Sequence, residues 1–174
     1  MSHTTKSAST LMTALSFTAD DLAANREGHL SDRQRAYLDI DRRKNGILGT
    51  VMVVALVFAV TALLFVGLRD GNLILTVLGG VLLVVNITLS LFFTLNWVRM
   101  SYDLRTDTTE VIEGAAQHVV RQAGKAKAAS VRIGETIEVP TGDVDTFKAF
   151  EPGVTYRLYR TTHTGRLLSV ERVG

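Results

Sequence analysis

The stretch ILGTVMVVALVFAVTALLFVGL (Ile47–Leu68), the turn RDGN (Arg69–Asn72) and the stretch LILTVLGGVLLVVNITLSLFFTLNWV (Leu73–Val98) decide the architecture. Neither long stretch contains an ionisable residue. At about 1.5 Å per helical residue they reach about 33 and 39 Å, and a bilayer's hydrocarbon core is about 30 Å thick. Each can therefore cross as a helix, and the longer one should tilt or run into the headgroups near Trp97. Trp97 and Tyr102 suit an interfacial aromatic belt. A four-residue turn holding Gly71 forces the two helices to pack antiparallel. The sequence thus predicts an integral protein of the plasma (inner) membrane, built on a helical hairpin over residues 46–98.

Basic residues orient this hairpin. Arg33, Arg35, Arg42, Arg43 and Lys44 precede it, Arg99 and Arg105 follow it, and only Arg69 lies in the turn. Excess Lys and Arg marks the cytoplasmic side, so both termini are expected in the cytoplasm. The opening residues hold no continuous apolar run behind a basic start, as a secretory signal requires. The first apolar stretch is expected to serve as an uncleaved insertion signal.

Polar residues of the second helix fall on one face: Asn86, Ser90 and Thr94 are four apart, and Gly79 lies seven before Asn86. Thr76 and Gly80 form a small-xxx-small pair, as do Ala55 and Ala59 in the first helix. Small residues let membrane helices approach, and a buried amide can bond across them. Folding about the turn puts Asn86 near the depth of Ala55, and Gly79 and Gly80 near Thr61 and Ala62. Two uses of this face are open: it seals the hairpin, or it forms an oligomer contact or polar pathway centred on Asn86. Asn86-Ile87-Thr88 matches a glycosylation sequon, but its membrane depth makes the match accidental.

Residues 1–45 read as an arm, poorly ordered over the Ser/Thr-rich first 17 and helical beyond. Thr18-Ala19-Asp20-Asp21 and Ser31-Asp32-Arg33-Gln34 are capping-box starts. They predict a short helix near Asp20–Asn25, a break at Gly28 and a second helix from Asp32. Residues 99–174 change to short β-branched and aromatic runs: 109–113, 118–122, 130–133, 136–139, 155–159 and 167–171. Gly134 and His163-Thr164-Gly165 suit hairpin turns, 143–150 suits a short helix with Phe147 and Phe150 inward, and 124–129 reads as a mobile loop. Together these give an α+β protein: a helical arm, a transmembrane hairpin and a small C-terminal β-barrel of OB or SH3-like type.

Several chemistries find no support in the residues. The chain of 174 residues has 19 basic and 17 acidic residues and no cysteine. It can form no disulfide, thiol nucleophile or thiolate metal site. After Val98 there are 11 basic and 10 acidic residues, a balance that argues against nucleic-acid binding although Tyr156 and Tyr159 alternate with Arg157, Arg160 and Arg166. Those five residues are instead the candidate partner surface. The four histidines lack ligand spacing, Gly124-Lys125 lacks the phosphate-loop pattern, and the acids Glu135, Glu138, Asp143 and Asp145 lack an EF-hand pattern. No catalytic residue, metal ligand or cofactor is assigned, and any small-molecule ligand stays unidentified.

Asp21-Leu22-Ala23-Ala24-Asn25-Arg26-Glu27-Gly28-His29-Leu30-Ser31, Tyr156-Arg157-Leu158-Tyr159 and Gly165-Arg166-Leu167-Leu168-Ser169-Val170-Glu171 carry a resemblance. The chain resembles uncharacterised prokaryotic membrane proteins with a two-helix hairpin and a small C-terminal β domain. Its layout is more loosely similar to the NfeD-like class, in which membrane helices precede an OB barrel, though the Gly-rich repeat of that class is missing. The resemblance implies the layout and transfers no activity. The expected function is a non-enzymatic membrane adaptor that presents its cytoplasmic β domain to a partner protein or membrane complex. The alternative is a small homo-oligomeric channel or transporter component using the polar face of the second helix.

Overall fold

A computed structural model describes residues 10–123, 126–134, 137–140 and 144–173. Its elements are a helical turn at residues 10–14, then α1 (Ala19–Arg26), α2 (Asp32–Arg69), α3 (Leu73–Thr106), β1 (Thr109–Ala123), β2 (Ala126–Ile133), β3 (Ile137–Pro140), α4 (Val144–Ala149), β4 (Thr155–Thr161) and β5 (Leu167–Arg172). They fall into two compact units. One holds the chain up to Arg35 together with the chain from Asp107; the other is Ala36–Thr106.

Local chemistry starts the helices of the arm. Thr18 Oγ1 accepts from Asp21 N–H, and Asp21 accepts from Thr18 N–H at 2.8 Å, a complete capping box. Ser31 and Gln34 repeat it at 3.1 and 3.2 Å. Gly28, at φ +89°, makes the break between them. Beyond Ser31 the helix runs unbroken to Arg69, through Asn45 and Gly46. Asp39 bonds Arg42 at 2.6 Å and Arg43 at 2.8 Å, one turn apart, and these pairs support the polar stretch. The second long helix also outruns its apolar stretch, ending at Thr106.

The five strands form one antiparallel sheet in the order β3-β2-β1-β4-β5. The sheet is open: among the described residues no ladder joins β3 to β5. The runs 109–113 and 118–122, expected as two strands, are one 15-residue strand. Its first half pairs with β4 and its second half with β2, and it changes partner between Ala115 and Ala116. The small residues there allow the crossing. A Cβ on Gly114 would lie 2.6 Å from Gly134 N, so only glycine fits. Residues 126–129, expected as loop, begin β2, while Gly124 and Lys125 lie outside the described residues. Gly165, at φ +66°, turns the chain into β5.

The core of this unit joins sheet and arm. Ala116, Val131, Ile133, Phe150, Tyr156, Leu158 and Val170 are buried with Leu11, Phe17 and Leu22. The expectation of disorder through residue 17 is thus corrected for residues 10–17. Leu11, Met12 and Leu15 are apolar at helix-like spacing, Phe17 follows the turn, and all four join or pack against the core. Thr146 on α4 holds the turn by donating to Ala14 O at 3.2 Å.

Candidate functional site

The arm meets the sheet through polar groups placed on α1, the start of α2 and β5. Asn25 and Ser169 are both fully buried, and Asn25 Nδ2 donates to Ser169 Oγ at 2.7 Å. Gln34 donates to Leu168 O at 3.2 Å, occupying a carbonyl on the free edge of β5. Asp21 is 1% exposed and takes hydrogen bonds from Arg33, Ser31 and Thr18. Burial pushes its carboxyl up, but those bonds outweigh burial and hold it at about 2.

Glu171 on β5 gathers a second cluster. It accepts from Arg26 at 2.8 Å, from Tyr159 at 2.7 Å and from Arg157 at 3.3 Å. Burial raises the Glu171 carboxyl, and the bonds from Tyr159 and Arg26 reverse that to a net lowering. Tyr159 moves the other way: burial first, then its bond to Glu171, raise the phenol above its ordinary value.

This arrangement redistributes the candidate partner surface. Tyr156 is fully buried and Tyr159 is 2% exposed, so neither is presented to a partner. Tyr156 packs edge-on against Phe150 at 5.1 Å, and its oxygen accepts from Glu151 N–H at 2.9 Å. Arg157 is paired with Glu113 at 2.9 Å and Arg160 with Glu110 at 2.9 Å, both across strands. Strand alternation hid this outcome: burial along β4 breaks its period at the Leu158-Tyr159 pair, where the register to β5 also shifts.

Between β3 and the β4–β5 hairpin lies a cavity of about 390 Å³. Leu15, Val139, Leu158, Leu167 and Leu168 give it an apolar wall, and Glu138, Arg160 and Arg166 stand on its lining. It occupies the side on which the sheet is open. Sequence reasoning singles out Arg160 and Arg166 but not the leucines, of which Leu15 falls in the segment expected to be poorly ordered. Of the acids expected as a solvated patch, Glu138 is paired with Arg132 at 2.9 Å, and Glu135 and Asp143 lie outside the described residues. His118 bonds Phe150 O at 2.7 Å and stacks on Phe147. Among the described residues no three metal-ligating side chains converge.

In the unit of the two long helices, Asn86 is 6% exposed and its amide donates to Val53 O at 3.1 Å. Ser90 Oγ donates to Asn86 O at 2.8 Å. Gly79 faces Leu64, where a Cβ would lie 2.7 Å from the leucine side chain. A Cβ on Gly49 would lie 2.8 Å from the Phe93 ring, and one on Gly67 would lie 2.7 Å from Thr76 N. The contact line therefore runs through Gly49, Val53, Leu64 and Gly67. Ala55, Ala59 and Thr94 are exposed instead, and a Cβ on Gly80 would meet nothing within 4 Å. The expected depth pairing was offset by two or three residues. Gly49 and Gly67 were missed as contacts, although each is the small residue opposite a large or β-branched one.

A groove of about 710 Å³ flanks this contact line, bounded by Arg43, Ile47, Thr50 and Val54 on α2 and by Ser90, Thr94 and Trp97 on α3. No family model, curated protein or solved structure matches the chain.

Proposed function

We propose that this chain is a non-enzymatic membrane adaptor. Its long helices cross the plasma (inner) membrane as a hairpin, and its arm-and-sheet unit stands in the cytoplasm to engage a protein partner. The carrying observation is that the segment before the first helix and the segment after the second belong to one compact unit. A unit assembled from both flanks supports their lying on one side of a bilayer, and the basic residues at 33–44 and at 99 and 105 favour the cytoplasm for that side.

Insertion is supported by what the helices expose. Phe58, Phe65, Ile74, Phe92 and Leu91 are 72, 64, 79, 62 and 56% accessible. In water such a surface would aggregate; in lipid it is solvated. The polar face of α3 supports a sealed hairpin over a pathway, since the Asn86 amide is occupied by the Val53 carbonyl.

The strand order, with a helix between β3 and β4, is that of a five-stranded OB barrel opened between β3 and β5. We read the domain as this barrel type, in keeping with the resemblance to two-helix proteins that end in a small β domain. The leucine-walled opening is the partner surface in this reading: it is apolar and rimmed by charge.

Two measurements test the proposal. Single cysteines at Gly71 and Thr162 in this cysteine-free chain should label from outside and from inside, respectively; the reverse pattern, or labelling of both from one side, sinks the topology. Gentle extraction should yield a hetero-complex that Leu167→Arg dissociates. A fixed homo-oligomer with no other component would overturn the adaptor reading in favour of a channel.

A further inference from the structure

We infer that the groove beside the helix contact line is a binding site for one anionic phospholipid of the cytoplasmic leaflet, with its phosphate at Arg43 and an acyl chain along the groove. The inference rests on the membrane reading above and adds a ligand to it.

Three observations converge on this occupant. The groove begins at a cation: the Arg43 side chain is 72% exposed and sits at the border between the polar and apolar parts of α2, where headgroup phosphates lie. Its neighbour Asp39, at 2.8 Å, is a half-buried carboxylate shared with Arg42, so the mostly exposed Arg43 guanidinium keeps N–H donors for a phosphate. The length fits next. From Arg43 to Val54 the helix rises about 16 Å, about half of a 30 Å hydrocarbon core. The groove therefore spans one leaflet, as a lipid chain does, whereas a partner helix would need a seam along the whole hairpin.

The floor of the groove is the third observation. Thr50 Oγ1 donates to Gly46 O at 2.8 Å and Ser90 Oγ to Asn86 O at 2.8 Å. With these two hydroxyls turned onto their own helices, the lining is mostly carbon, with Thr94 as its third hydroxyl residue. Trp97 closes the headgroup end, an amphipathic ring at the depth where aromatic residues anchor.

Trp97 is the only tryptophan of the chain, which makes it a built-in reporter. The full-length protein is reconstituted in vesicles of neutral phosphatidylcholine containing a fixed fraction of lipid brominated on its acyl chains, either phosphatidylglycerol or phosphatidylcholine. Quenching of Trp97 should report a preference of about fivefold for the anionic lipid, the size of one interfacial cation acting on one headgroup. Arg43→Gln should bring that preference near unity, and Lys44→Gln, outside the groove, should leave it. Thr94→Leu, which fills the groove and keeps every charge, should lower quenching by the anionic lipid.

Equal quenching by both lipids, or a preference that survives Arg43→Gln and Thr94→Leu, overturns the site. Trp97 shielded from both lipids in a particle of dimer mass overturns it in favour of a second copy in the groove. Failure of the membrane reading looks different: no brominated lipid quenches Trp97 at any mole fraction.

Discussion

Asp21→Asn should loosen the arm from the sheet and remove one component of acid sensitivity. Asp21 is 1% exposed and accepts from the Arg33 guanidinium, the Ser31 hydroxyl and the Thr18 backbone. Its carboxyl falls from 3.8 to about 2, a shift worth about 2 kcal/mol at 1.36 kcal/mol per unit. The half-exposed Arg33 side chain is screened by solvent, which trims this toward 1–2 kcal/mol. The sign follows from the depressed value. The stabilisation is fully present above the unfolded value near 4 and is lost as pH falls through 4 to 2. Hydrogen exchange of the full-length protein in mild detergent reads the effect directly. At pH 7 the amides of α1 and the facing amides of β5 should exchange about 5- to 30-fold faster in the variant. Sheet stability measured from pH 5 down to 2 should fall more steeply in the wild type than in the variant. Unchanged protection at pH 7, or parallel loss of stability below pH 4, would refute the assignment of Asp21 as the ionised anchor of the arm.

Gly79→Val should cost about 1–3 kcal/mol of hairpin stability, because its side chain meets Leu64 at 2.7 Å, while Gly80→Ala should be neutral, since nothing lies within 4 Å; unfolding in mixed micelles separates the two. Asn86→Ala should cost about 0.6–2 kcal/mol in the same assay by removing the bond to Val53 O. Glu171→Gln should lower the phenol of Tyr159 toward its ordinary value, since the carboxylate is one cause of its elevation, visible as earlier phenolate absorbance in an alkaline titration. Replacing residues 36–106 by a short Gly-Ser linker should leave a soluble, folded unit, because Arg35 and Asp107 are ion-paired and Thr109 N–H donates to Gly28 O at 3.1 Å; a chain without a cooperative thermal transition contradicts this.

Much of the architecture was legible because it rests on local chemistry. The apolar stretches, both capping boxes, the break at Gly28 and the turns at Gly134 and Gly165 are each written in a few neighbouring residues. What could not be read depends on distant partners. Asn25 finds Ser169, and Arg26 finds Glu171; nothing near either residue announces the other. Tyr156 and Tyr159 look like surface aromatics among arginines, yet Tyr156 packs on Phe150, Tyr159 bonds Glu171, and both are buried. The merging of two candidate strands into β1 depends on Gly114 passing close to Gly134, a contact 20 residues apart in the chain. On the helices, hydroxyl spacing indicated a face, but it was the missing side chains at Gly49, Gly67 and Gly79 that fixed which residues touch.

The same long-range pairing bears on how the chain can fold. Residues 36–106 separate the arm from the sheet it packs on. Closing a flexible loop of about 70 residues costs about 4 kcal/mol of entropy by the (3/2)RT ln n rule. A preformed hairpin lowers that cost, since antiparallel helices bring residues 36 and 106 to one end before any arm–sheet contact exists. Assembly of the unit is thereby coupled to formation of the helix pair. The polar character of the junction fits this order. Asn25, Asp21, Arg26 and Gln34 keep the arm soluble until β5 supplies Ser169, Glu171 and the Leu168 carbonyl. An arm that relied on apolar residues alone would expose them throughout synthesis of the following 70 residues, beside two of the stickiest segments a chain can carry. The polar groups pair named positions of arm and sheet, while Leu11, Phe17 and Leu22 are buried in the shared core, where apolar burial is stabilising.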